Sequence, residues 1–202
     1  MPPGPPPTEK GTRQSNQILE AALRCLGRDG YAATSLARVA DEAGVSKRMV
    51  LYYFESREEL FATLTRSIGD RLIAQLEEAI AGGDNPSEVV HAGFEQLWQA
   101  ITADRGLLIA LFGVTIESVT DQRLAEEVAE FKDKLRQLLR HQLDNARSSG
   151  RRIVLDDDVA ITAMVSGFLG LAFEWLETGD SPALAQTIVG YEQMVASMAL
   201  ET

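Results

Sequence analysis

Between Thr34 and Leu60, in TSLARVADEAGVSKRMVLYYFESREEL, two cations stand side by side, Lys47 and Arg48, followed closely by two phenols, Tyr52 and Tyr53. Long cationic side chains pair with phosphate oxygens or with the O6 and N7 acceptors of guanine. Tyrosine hydroxyls fix register by donating to phosphates. The pattern therefore points to contact with double-stranded DNA. The candidate contact residues are Thr34, Ser35, Arg38, Ser46, Lys47, Arg48, Met49, Tyr52, Tyr53 and Arg57. An ordinary solvated helix is the bland alternative, but so short a segment with two adjacent cations and two tyrosines favours contact. Arg57 has a second reading, as a partner for a neighbouring glutamate.

These groups need a scaffold, and the flanking residues describe one. Thr34 or Ser35 can cap the start of a helix. Leu36, Val39, Ala40 and Ala43 then recur at offsets 0, 3, 4 and 7 and form one apolar face. Gly44 ends that helix where a left-handed backbone is needed, and Ser46 caps the next. Two short helices joined by a few residues are a helix-turn-helix, whose second member is free to enter a major groove. That second helix is too short to be stable alone. Val50 and Phe54 are placed to tie it inward. Ser56, with Glu59 three residues on, gives a capping box for a further helix.

Thr34-Ser35, Val39-Ala40, Ala43-Gly44-Val45-Ser46, Tyr52-Tyr53-Phe54 and Ser56-Arg57-Glu58-Glu59-Leu60 together resemble the DNA-binding domain of the tetracycline-repressor (TetR) family. Ile18 to Ala22, and on to Gly30-Tyr31, resembles that family's first helix and the loop after it. The likeness covers residues 13–65; beyond them it is one of architecture. Arg48-Met49 stand where the family often has Gly-Thr, Leu51 where a tyrosine is common, and Ala37 where an arginine is common. These positions lie on or near the DNA-facing surface, so the fold is unaffected while the operator sequence is not predictable from the family.

The chain has 202 residues, 45% of them hydrophobic, enough for a small domain and a larger one with its own core. Its net charge of −11 is unevenly spread. Residues 1–50 carry +2, which leaves −13 for the rest. Exposed charges farther than about 10 Å from a phosphate are largely screened, so the acidic bulk does not veto DNA binding. The single cysteine, Cys25, falls on the apolar face of the first helix and reads as a packing residue. The start, MPPGPPP, has neither the basic flank nor the apolar stretch of a signal peptide, and no run approaches the length of apolar chain that a membrane span needs. The expectation is a cytoplasmic protein with no membrane partner.

The fold expected is all-α, nine helices in two domains. Residues 1–12 form a disordered tail, 13–60 the helix-turn-helix domain, and 61–202 the ligand-binding and dimerisation domain. A helix over about 57–81 links the two. The first three helices are placed at 13–28, 35–43 and 47–53. After a break at Gly82-Gly83-Asp84 come helices at 86–102, 104–118, 121–148, 156–178 and 182–200. Arg151–Leu155 reads as a loop, and no sustained alternation predicts a strand.

No catalytic constellation is present. His91 and His141 show no metal-ligand spacing with each other or with Cys25, and no metal or cofactor is expected. Asp156-Asp157-Asp158 lacks the ligands of a calcium loop and suits the dipole at a helix start. The helices at 156–178 and 182–200 have apolar faces broader than one neighbour requires. Met164, Gly167, Phe168, Leu171, Trp175, Tyr191, Met194 and Met198 are therefore expected at a homodimer interface, with packing inside one chain as the alternative.

The family resemblance further implies an inducer pocket, for which the candidates are Phe94, Trp98, Ile101, Leu108, Phe112 and Phe131, with Gln96, Thr115 and Glu117 as polar anchors. The implied function is that of a dimeric regulator, most often a repressor, bound to a palindromic operator and released by a small, mostly apolar molecule. An acidic helical adaptor for other proteins, or a regulator with no small-molecule trigger, are the alternatives.

Overall fold

A computed structural model describes residues 9–81, 83 and 85–201. Among these are nine helices: α1 Glu9–Ala33, α2 Leu36–Ala43, α3 Lys47–Tyr53, α4 Arg57–Ile80, α5 Pro86–Thr102, α6 Arg105–Glu117, α7 Gln122–Ser148, α8 Asp157–Thr178 and α9 Pro182–Ala196. The expected helices are present within a few residues. The expected tail falls partly outside the described residues, and Glu9 to Thr12 belong to α1. Gly82 and Asp84, two residues of the expected break, also lie outside them.

The chain forms two compact units. The first comprises the residues up to Ser67 together with Ile109–Val128, and the second comprises Ile68–Leu108 with Ala129 onward. A cut at residue 60 leaves Ile109–Val128 in the other half. That segment is instead fastened to the first unit by charge. Arg66 forms a two-pronged ion pair with Glu127, and Arg123 reaches Glu59 at 3.0 Å.

In the first unit α1, packed on α2, buries Ile18, Ala22, Cys25 and Leu26; Val39 of α2 and Leu60 and Phe61 of α4 are buried as well, and the Tyr31 ring meets that of Phe61 at 4.9 Å between centroids. Gly30, at φ 76° and ψ 171°, breaks the helical path, as the sequence expects. Burial pushes the Cys25 thiol up from its ordinary pKa, as befits a packing residue.

In the second unit α8 is capped by Asp156, whose carboxylate accepts from the backbone N–H of Asp158 at 3.0 Å. The neighbouring acids are held by α7: Arg140 pairs with Asp158 at 2.6 Å, and Arg147 with Asp157. This gives the aspartate run a structural role at the helix start.

Two features depart from the expectations. Arg151–Ile153 is a strand, β1, paired antiparallel with β2, Ala199–Glu201, in the register Arg151↔Glu201 and Ile153↔Ala199. Accordingly α9 stops at Ala196 rather than running to residue 200. Strands of three residues are too short to show a period-two pattern, and their pairing is set by partners far apart in sequence. Second, α8 is long and apolar enough, by length and composition, to cross a membrane, contrary to the expectation that no segment approaches this. Its Ala, Gly, Ser and Thr residues disguise an uncharged run between Asp158 and Glu174. The core helix of a globular protein meets the same criterion.

Candidate nucleic-acid interface

The helix-turn-helix is built from its caps outward. The Ser35 hydroxyl accepts from Arg38 N at 3.3 Å and opens α2. Gly44, at φ 66° and ψ 31°, closes it in the left-handed conformation, and Val45 N donates to Ala40 O at 2.9 Å. Ser46 then opens α3 by accepting from Met49 N at 3.2 Å. Gln17 of α1 donates to Ala43 O at 2.7 Å and fastens the end of α2. Val50 and Phe54 are buried and anchor α3 to this frame.

With those two residues inward, Lys47, Arg48, Met49, Leu51 and Tyr52 are exposed. Tyr52 is the extreme case at 78% exposure. Tyr53 is half-buried, and its ring meets that of Tyr52 edge to face at 5.2 Å between centroids. Arg38 is exposed on α2. The result is a ridge of cationic, phenolic and apolar side chains on one side of a short, well-capped helix.

Two of the expected contact residues are placed elsewhere. Thr34 is 1% exposed, and its hydroxyl donates to Gly30 O at 2.7 Å, so it closes the turn after α1 and does not reach the surface. Arg57 is part-buried, donating from Nε to Thr34 O at 2.8 Å and from Nη2 to Tyr31 O. Its glutamate alternative is not realised either, since the partners are backbone carbonyls and aromatic faces. Ser35 and Ser46 remain at the surface, but their hydroxyls act as helix caps.

An ion-pair chain that the sequence does not announce ties α1 to α2. Arg24 and Arg28 of α1 hold Glu42 at 2.8 and 3.0 Å, Arg28 also holds Asp29 at 3.1 Å, and Arg38 of α2 reaches Asp29 at 3.0 Å. Hydrogen bonding to Arg28 holds the Asp29 carboxyl below the usual carboxylate range, and Arg24, with Arg28, does the same for Glu42. The only sequence signal was the recurrence of arginine at positions 24 and 28, four apart on α1.

Several residues expected at an inducer pocket and at a dimer interface meet in one aromatic cluster of the second unit. Phe94 stacks on Trp98 at 5.4 Å and meets Phe168 edge to face at 5.3 Å. Leu171, Trp175 and Tyr191 join the same cluster. Tyr191 donates its hydroxyl to Met164 O, its ring fills the space a Cβ on Gly167 would need, and burial pushes its pKa up to about 12. Trp175 Nε1 donates to Asp180 at 2.9 Å. Met198 and Met164 pack in a second cluster with Leu143 and Ile161. Of the eight interface candidates, Leu171 and Met198 are buried, Met164, Gly167, Phe168, Trp175 and Tyr191 are part-buried against their own chain, and Met194 is exposed. The exposed apolar stripe runs instead through Val159, Leu169 and Phe173 of α8 and Val189 of α9.

Ile101 and Leu108 are packed at 3% and 2% exposure, and Phe131 lies against Gly69. Gln96 is half-buried. Phe112, Thr115 and Glu117 belong to the first unit, where the Thr115 hydroxyl is occupied by Leu111 O at 2.8 Å. A cavity of about 490 Å³ lies in the second unit between the start of α5 and the end of α9, lined by polar groups such as Asn85, Ser87, Gln193 and Ser197 and by none of the candidates.

Residues 18–64 match the family model described as bacterial regulatory proteins, tetR family. The chain is 26% identical over 176 residues to the uncharacterized HTH-type transcriptional regulator YhgD of Bacillus subtilis, covering 86% of this chain and 89% of that one. It is 25% identical over 100 residues to the HTH-type nicotine-responsive transcriptional repressor HdnoR of Paenarthrobacter nicotinovorans, covering 50% and 52%. Its fold is similar to that of a putative transcriptional regulator from Saccharomonospora viridis solved in complex with choline, with a TM-score of 0.81 and 17% identity over 95% of this chain and 100% of that one. The capped turn from Ser35 to Ser46 and the exposed ridge of α3 lie inside the matched segment, so residues 18–64 form a DNA-binding domain similar to that of the tetR-family regulatory proteins, and the fold is similar along nearly the whole length to that of a solved transcriptional regulator.

Proposed function

We propose that this protein is a dimeric, cytoplasmic repressor that binds a palindromic operator through α3 of each subunit and is released by a small, mostly apolar molecule held by residues 61–202. The observation that carries the reading is the ridge of α3: Arg48, Met49 and Tyr52 project from a helix whose opposite side is locked by Val50 and Phe54, with Lys47 exposed at its first residue. Arg38, on α2, adds a phosphate contact, and the Tyr52 and Tyr53 hydroxyls set register. The DNA-binding function resides in residues 13–60.

Dimerisation is supported by the exposed stripe on α8 and α9. Val159, Leu169, Phe173, Val189 and Met194 are 44–55% exposed on helices that bury Ile161, Leu171, Leu184 and Val195 on other faces. A two-fold pairing of these helices buries the stripe and supplies the two α3 helices that a symmetric site requires. Effector control is supported by the description of HdnoR as nicotine-responsive and of the Saccharomonospora protein as a choline complex. Release follows as a population shift, in which the effector prefers a state whose two α3 helices are wrongly spaced for successive grooves.

The test is a titration of operator duplex with the purified protein, followed by addition of a library of small apolar compounds. Binding that falls steeply with salt, and is reversed by a subset of compounds that also raise the melting temperature, is expected. Binding that no compound reverses makes the protein a constitutive regulator. Absence of binding at low salt rejects the DNA reading and favours a protein-binding adaptor.

A further inference from the structure

The ridge of α3 is not uniform, and we propose that it divides the reading of the operator between two residues: Arg48 recognises a guanine, Met49 recognises the C5 methyl of a thymine on a neighbouring base pair, and Lys47 contacts phosphate alone. This rests on the DNA-binding reading above and deepens it to the composition of the half-site.

The division follows from the angles around the helix. Successive residues are turned by about 100°. Val50 and Phe54, buried at 0% and 3% exposure, define the inward direction. Tyr52 then lies opposite them, Arg48 about 40° from that outward line, Met49 about 60° to its other side, and Lys47 about 140° away. Tyr52, on the outward line, is 78% exposed; Met49 and Leu51, to either side, are each 40% exposed, and Lys47, beside the buried side, is open to solvent as the first residue of the helix. A side chain near the outward line of a helix in the major groove meets base edges, whereas one on the flank meets the phosphate walls. The first turn of a recognition helix is the part that reaches the bases. Arg48 and Met49 are in that turn, while Tyr52 is about 6 Å farther along the axis.

Chemistry then selects the bases. Arg48 is a planar fork, and guanine presents two acceptors side by side in the major groove. The guanidinium is also uncommitted. Arg24, Arg28 and Arg38 are paired with Asp29 or Glu42, and Arg57 with backbone carbonyls, but among the described residues Arg48 has no ion-pair partner. Met49 is an exposed, unbranched apolar side chain that adapts its shape to what it covers. The thymine methyl is the apolar feature of the major groove. Met49 is displaced from Arg48 by one residue around and along the helix, so its contact falls on a different base pair.

The experiment is selection from a pool of random duplexes by the full-length protein and by Arg48→Ala, Arg48→Lys, Met49→Ala and Lys47→Ala. The parent enriches inverted repeats with a fixed guanine close to a fixed thymine in each half. Arg48→Ala loses the guanine preference, a discrimination of about 5- to 150-fold, and keeps the thymine. Arg48→Lys keeps the charge, and so the salt dependence, but weakens the guanine preference. Met49→Ala relaxes the thymine position only. Lys47→Ala keeps both preferences while binding every duplex more weakly.

Inverted repeats without a fixed guanine, or a guanine that survives Arg48→Ala, overturn the assignment and leave the DNA-binding reading standing. Loss of base preference in Lys47→Ala does the same. A parent that enriches nothing removes the DNA-binding reading itself, and the assignment with it.

Discussion

The guanidinium of Arg57, the first residue of α4, stands over the ring of Tyr31, 4.2 Å from its centroid, and 4.9 Å from that of Phe61. Its N–H groups donate to the carbonyls of Thr34 and Tyr31. The start of α4 is thereby fastened to the segment that launches α2. A charge that the sequence offers as a candidate DNA contact is used to hold the DNA-binding unit together.

Arg57→Ala is expected to destabilise the first unit by about 2–4 kcal/mol, through loss of cation–π contact and of charge-assisted hydrogen bonds to two carbonyls. Arg57→Lys should recover part of this, because an ammonium keeps the charge without the fork. Urea unfolding followed by circular dichroism reads the difference. Parental stability in Arg57→Ala would show the clamp to be idle.

The helices of this chain were legible because their signals are local. Ser35, Gly44 and Ser46 stand where caps and a left-handed turn are needed, and Val50 and Phe54 mark the inward side of α3. The outward placement of Arg48 and Tyr52 followed from the same periodicity, and the exposure of Lys47 from its place at the start of α3. What stayed hidden was set by partners distant in sequence. Thr34 is a cap candidate that turns inward to Gly30, and Asp29 and Glu42 gain meaning only once α1 and α2 are side by side. On α8 the periodicity identified an apolar helix but not which of its faces a neighbour covers. Gly167, Phe168 and Leu171 face Tyr191 and Phe94, whereas Leu169 and Phe173 are left outside.

The Asp29 and Glu42 carboxyls, held below the usual range chiefly by Arg28 and Arg24, make the ion-pair chain sensitive to acid. A folded pKa below the unfolded value gives stability that is present above the ordinary carboxylate range and is lost as pH falls through the lowered value. Urea midpoints should therefore decline below about pH 4. The double variant Asp29→Asn, Glu42→Gln should be less stable at neutral pH and show a flatter acid limb. An acid limb unchanged in the double variant would assign the sensitivity to other groups.

Gly167 is required by the Tyr191 ring. Gly167→Ala should force that ring to shift, at a cost of about 1–3 kcal/mol. Tyr191→Phe, which loses the hydrogen bond to Met164 O, should cost about 1 kcal/mol. Thermal unfolding of the two variants reads both, and a Gly167→Ala variant as stable as the parent would place Tyr191 elsewhere.

The exposed stripe on α8 and α9 separates association from folding. Phe173→Glu and Val189→Glu should give folded monomers by light scattering, since neither side chain is needed inside the unit. Leu171→Glu, at a position 8% exposed in the aromatic cluster, should instead lower the melting temperature sharply. Dimers that persist in both stripe variants would put the contact on another surface.

Affinity measured by fluorescence anisotropy, for an enriched inverted-repeat duplex and its scrambled counterpart across a salt series, tests the account at its centre. The account predicts that two chains bind the repeat at least about a thousandfold more tightly than the scrambled duplex at physiological salt. Lys47→Ala should lower both affinities and flatten their dependence on salt. Equal affinity for the two duplexes, or a salt dependence indifferent to Lys47 and Arg48, would contradict it.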